Sequence, residues 1–78
     1  MMKAILYTAP GCPFCVIVKN FLVSNKVSVK EIDVSKNAKL RAQMIKKSGQ
    51  ENVPVTDING TVIVSYDLKK LKEALKIK

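Results

Sequence analysis

Histidine and tryptophan are absent from this 78-residue chain, cysteine occurs twice, and six acidic residues stand against fourteen basic ones. Each scarcity removes a class of function. Zinc takes about four nitrogen or sulfur ligands, so two cysteines without a histidine leave only an intermolecular zinc site, and no metal is expected. Cysteines three positions apart, Cys12 and Cys15, cannot staple distant loops as the disulfides of small secreted domains do. A reducing, cytoplasmic compartment is expected. No apolar run approaches the roughly 20 residues of a membrane span, and the stretch from Met1 to Tyr7 is too short for a signal h-region. The chain is therefore expected to be soluble, with no membrane partner. Phe14 and Phe21 are expected on a largely apolar helix, which leaves too few aromatics for a base-stacking platform. Thirteen lysines and Arg41, scattered from Lys3 to Lys78, give a net charge of +8. Such scatter reads as a solvated surface rather than a nucleic-acid site, although a basic nucleic-acid-binding module is an alternative. The charge would still steer encounters with acidic protein partners.

What is present suffices for one domain, residues 1–78. Lys3 to Thr8 is a short apolar segment stopped by Pro10-Gly11, which predicts a buried strand and a turn. From Pro13 to about Asn25, the residues Phe14, Ile17, Val18, Phe21 and Leu22 recur at helical spacing. Val27 to Val34 is rich in β-branched residues and predicts a second strand, with an alternation that changes phase near Glu31. Asn37 or Ser35 would cap a helix running to about Lys47, with Leu40, Met44 and Ile45 inward and Ser48-Gly49 ending it. Val53 to Ile58 and Thr61 to Val64 flank Asn59-Gly60, a strong signal for a two-residue hairpin turn. Asp67 would cap a last helix with Leu68, Leu71 and Leu75 inward and Lys69, Lys70, Lys72 and Lys76 outward. The order β-α-β-α-β-β-α predicts an α/β fold, a four-stranded mixed sheet covered by three helices.

The two thiols fall where strand, turn and helix meet. A thiol exchanges with disulfides only as thiolate. At the opening of a helix, unpaired N–H groups and the helix dipole stabilise that anion. Cys12 is thus the candidate nucleophile. Cys15, three residues on along the same side of the first turn, can attack a mixed disulfide on Cys12 and release the reduced substrate. Pro13 fixes the backbone between them. A purely structural disulfide across so small a loop would constrain little of the unfolded chain. Buried spectator thiols would leave the Pro13-Phe14 pair at a strand-to-helix turn as coincidence.

Tyr7-Thr8, Cys12-Pro13-Phe14-Cys15, Val53-Pro54-Val55 and Ser65-Tyr66-Asp67 together resemble the glutaredoxin-like branch of the thioredoxin superfamily, across the whole chain. The resemblance implies a thioredoxin/glutaredoxin fold and thiol–disulfide oxidoreductase activity in a monomer with no bound cofactor. It implies a cis bond before Pro54, opposite the dithiol, where the Val53 backbone pairs with substrate as an added strand. It also implies substrate contacts from Pro13, Phe14, Ser65, Tyr66 and Asp67. Pro54 read without the resemblance is an edge or strand-start proline, and Asp67 is equally an N-cap. Ser65 stands where the family has glycine. Thr8 replaces the lysine of glutathione-using members, and Gln50-Glu51-Asn52 replaces an arginine or polar residue, so that Glu51 would repel a carboxylate that Gln50 could bond. The chain is similar in these respects to redoxins recharged by a thioredoxin reductase-type flavoenzyme, including electron donors to ribonucleotide reductase. Glutathione is the other candidate electron donor. A dimeric carrier, holding an iron–sulfur cluster through Cys12 and two glutathiones, is the alternative within the family.

Overall fold

The computed structural model describes residues 3–75. Lys76, expected on the outer face of the last helix, lies outside them. The order is β1 (Lys3–Thr8), α1 (Pro13–Ser24), β2 (Ser28–Asp33), α2 (Ala38–Ser48), β3 (Val55–Ile58), β4 (Thr61–Val64) and α3 (Leu68–Leu75). The strands form one mixed sheet in the order β2-β1-β3-β4. β1 runs parallel to β2 and antiparallel to β3, and β3 pairs antiparallel with β4. Among the described residues, no helix is long and apolar enough to cross a membrane.

Both faces of the sheet are packed. Ala4 and Leu6 of β1 meet Val18 and Leu22 of α1 and Leu71 and Leu75 of α3 on one face. Tyr7, Val34 and Val55 meet Met44 of α2 on the other. This two-sided packing explains the phase change in β2. Val27 and Val29 pack with the α1 side, whereas Ile32 and Val34 pack with the α2 side. One helix covers the start of that edge strand and another covers its end.

The helix ends follow local chemistry. Asn37, rather than Ser35, caps α2, its side-chain oxygen accepting from the N–H groups of Lys39 at 3.0 Å and Leu40 at 3.1 Å. Ser35 instead donates to Asp33 through both its backbone and its hydroxyl. Gly49 closes α2 at φ +71°, a left-handed angle that glycine adopts without a Cβ penalty. Asn59 and Gly60 turn the hairpin at φ +50° and +92°, the paired positive angles of a type I′ turn. Asp67 caps α3, its Oδ1 accepting from the Lys70 N–H at 3.1 Å. Two expectations are corrected. β3 starts at Val55 rather than Val53, because Pro54 has no ladder N–H to offer. Leu68 is exposed, because Leu71 and Leu75 alone of the three point into the core.

Two interior polar groups are handled in opposite ways. The Tyr7 hydroxyl, deep in the α2-side core, accepts a hydrogen bond from Lys47 Nζ at 2.9 Å, and the same ammonium reaches Asp57 at 3.0 Å. These bonds, that to Tyr7 foremost, raise the Lys47 pKa above the usual lysine value of 10.5. Stability from this pair is therefore complete below the unfolded lysine pKa and is lost as pH rises through the higher folded value. In urea titrations, the advantage of the parent over Lys47→Met is expected to hold steady up to about pH 10 and to shrink above it. Thr56, by contrast, is fully buried, and its Oγ1 has no hydrogen-bond partner. Thr56→Val removes that orphaned hydroxyl with nearly the same shape and is expected to stabilise the fold by about 1 kcal/mol, read as a higher urea midpoint at unchanged slope.

Candidate active site

Three chain segments converge at one end of the sheet. β1 leaves the sheet there after Thr8 and turns through Gly11, at φ +74°, into α1. β3 runs antiparallel to β1 with Val55 opposite Tyr7, so Val53–Pro54 enters at the same end. β4 leaves at that end too, with Val64 opposite Val55, and Ser65 follows. The Ser65 N–H donates to the Pro54 carbonyl at 2.9 Å, which extends the hairpin ladder by one bond past the strands.

Cys12 is the N-cap of α1 and Pro13 occupies its first turn, so the thiol-bearing residue sits where helical N–H groups lack partners. Cys12 Sγ accepts from the Cys15 N–H at 3.2 Å. The two cysteines are joined as a disulfide, with Cα atoms 5.3 Å apart. Their surroundings differ. Cys12 is half-buried, whereas Cys15 is 3% exposed and faces the sheet.

The inward face of α1 carries Cys15, Val18 and Leu22, with Phe21 packed at its margin. Phe14 and Ile17 are therefore on the surface, contrary to the expectation from their spacing. Starting the i, i+3, i+7 series at Cys15 rather than Phe14 rotates the helix by one residue. Phe14 instead stacks on Tyr66, ring centroids 4.4 Å apart at 12°, an offset-stacking distance that favours the pair beyond its buried area. Both rings remain more than two-fifths exposed. The stack ties the first turn of α1 to the loop before α3.

The remaining candidate residues divide. Pro54 is buried and its bond to Val53 is cis, with Val53 half-buried against the α2-side core. Ser65 is exposed and takes φ +59°, the left-handed angle at which the family glycine is at ease. Asp67 has a complete role as a helix cap. The structure thus joins Pro54 to Ser65 and Phe14 to Tyr66.

A second feature lies outside the residues singled out from the sequence. On the other side of the dithiol, between α1 and β2, lies a cavity of about 420 Å³ bordered by both cysteines, Leu6, Val16, Lys19 and Glu31. Lys19 Nζ and a Glu31 carboxylate oxygen are 2.6 Å apart. Only the broken alternation near Glu31 hinted that β2 turns a charged side chain toward α1.

A helix-capping dithiol at the end of a β2-β1-β3-β4 sheet, with Val53–Pro54 entering at the same end, defines a dithiol redoxin of the thioredoxin fold. Residues 4–63 match the glutaredoxin family model, and the chain belongs to the glutaredoxin family. It is 41% identical over 67 residues to glutaredoxin 3 of Escherichia coli K12, covering 86% of this chain and 81% of that one. It is 30% identical over 71 residues to a glutaredoxin-like 8.6 kDa protein of Clostridium pasteurianum, covering 91% and 95%. A crystal structure of the thioredoxin-like protein BC3987 superposes with a TM-score of 0.85 at 38% identity, covering 92% of this chain and 99% of that one.

Proposed function

We propose that the protein reduces protein and low-molecular-weight disulfides through a mixed disulfide on Cys12. One observation carries the reading: Cys12 is the accessible N-cap of α1, while Cys15 is buried behind it. The cap position favours the Cys12 thiolate, because the Cys15 N–H and the helix dipole are already aimed at its sulfur. The thiolate attacks the substrate disulfide, expels one thiolate and holds the other half as a mixed disulfide. Cys15 then attacks Cys12 Sγ, expels the second half, and forms the Cys12–Cys15 disulfide. Two electrons pass from dithiol to substrate.

Val53 offers its backbone to an extended substrate at the start of β3, Pro13 and Pro54 shape the groove, and Ser65, Tyr66 and Asp67 with Phe14 form its rim. No bound cofactor takes part, and the working unit is a monomer in the cytoplasm. A thioredoxin reductase-type flavoenzyme recharges the protein more readily than glutathione, because Thr8 and Glu51 supply no cation for a glutathione carboxylate. Partners then include disulfide-bearing proteins, with ribonucleotide reductase among the candidates.

The test offers oxidised protein NADPH with either a thioredoxin reductase or glutathione plus glutathione reductase. Faster NADPH oxidation with thioredoxin reductase is expected. A faster glutathione system would overturn the assignment of the electron source, and no oxidation in either would overturn the redox reading.

A further inference from the structure

The cavity between α1 and β2 reaches the dithiol from the side opposite Val53–Pro54, and of the groove residues only Pro13 borders it, whereas Phe14, Val53, Pro54, Ser65, Tyr66 and Asp67 do not. Its walls near the sulfurs mix the apolar Leu6, Ala9 and Val16 with the polar Thr8, and its charged residues are one cation and one anion, Lys19 and Glu31, paired at 2.6 Å. We infer that this cavity binds small zwitterionic disulfides of the amino-acid type, with the carboxylate on Lys19 and the ammonium on Glu31. The inference rests on the disulfide-reductase reading and adds a substrate class to it.

Three features carry it. An open cleft of about 420 Å³ matches the size of a small-molecule ligand. A zwitterion meeting an existing ion pair leaves no charge unpaired, whereas a purely cationic or anionic ligand strands one member of the pair. Lys19 lies seven residues beyond Cys12, about 10 Å along the helix axis. Its flexible stem spans part of that distance, so an amino-acid head group can be held while a sulfur rests against Cys12. In the reaction, Cys12 thiolate attacks the nearer sulfur of the bound disulfide, whose S–S bond breaks, and one aminothiol leaves as thiolate and is protonated by water. Cys15 gives its proton to water, attacks Cys12 Sγ and expels the second aminothiol. The dithiol is oxidised by two electrons, and the disulfide is reduced to two thiols.

The test uses pre-reduced full-length protein in single turnover with cystine or with uncharged hydroxyethyl disulfide, quenched by alkylation and scored by mass. Lys19 and Glu31 are about half-exposed, so Lys19→Met and Glu31→Gln are each expected to slow cystine reduction about fivefold. Hydroxyethyl disulfide should be reduced within about twofold of the parent rate by both variants. Lys39→Met, which removes an exposed charge on α2, controls for the overall positive field and should leave the preference for cystine intact. Equal slowing of both disulfides by Lys19→Met, or equal effects of Lys19→Met and Lys39→Met on cystine, would overturn the site. Failure of the parent to reduce hydroxyethyl disulfide would instead overturn the disulfide-reductase reading itself.

Discussion

Cys12→Ser is expected to abolish disulfide reduction, lowering turnover by on the order of 1,000-fold or more, while Cys15→Ser leaves a protein that accumulates as a mixed disulfide with its substrate. The difference follows from position. Cys12 stands half-buried at the helix opening with an N–H directed at its sulfur, and Cys15 is 3% exposed against the sheet. Without Cys12, the remaining thiol is hidden from any bulky disulfide. Without Cys15, the first exchange still proceeds, but nothing inside the protein completes the second. Turnover measures the first effect, and intact mass measures the second, as an added substrate half that dithiothreitol removes. Equal and mild losses in the two variants would overturn the assignment of unequal roles.

The second large effect concerns stability. Leu22 is fully buried between α1, the sheet and α3. Leu22→Ala leaves a cavity that neighbouring side chains only partly fill, at a cost of about 3 kcal/mol. A domain of this length has a total stability of roughly 4 to 12 kcal/mol, so this one change removes a large share of it. The urea midpoint should fall accordingly at little altered slope. Cys15 shares the inward face of α1 with Leu22, so the variant should also alkylate faster at reduced Cys15. A change below about 1 kcal/mol would mean that the α1–α3 side of the core contributes little.

Much of this arrangement is legible in the residues. Asn59-Gly60 specifies the hairpin, because few other pairs accept two positive φ angles. Asn37 and Asp67 cap the helices that follow them, and Pro13 opens α1 after Cys12. These are local effects, decided within a few residues of chain. Facing is decided elsewhere. Phe14 and Leu68 belong to apolar series yet lie outside, because a short helix on a small sheet buries only a narrow stripe and its edges are left to neighbouring elements. Tyr66, fifty-two residues away, decides where Phe14 goes. The Lys19–Glu31 pair was equally out of reach, since it depends on the register that sets Glu31 beside Leu6 under α1. Pro54 stands out only through the family resemblance, and its cis geometry is a property of the folded loop.

The left-handed backbone at Ser65 also governs how this loop can drift over generations. A side chain at φ +59° is tolerated for small polar residues and costs more for β-branched ones. The bond to the Pro54 carbonyl is made by the backbone N–H of Ser65, so it survives exchange for glycine, asparagine or aspartate. Valine, isoleucine or threonine would be resisted by the backbone angle. The position is a narrow gate on substitution in which the hydrogen bond is indifferent to the letter and the backbone is not.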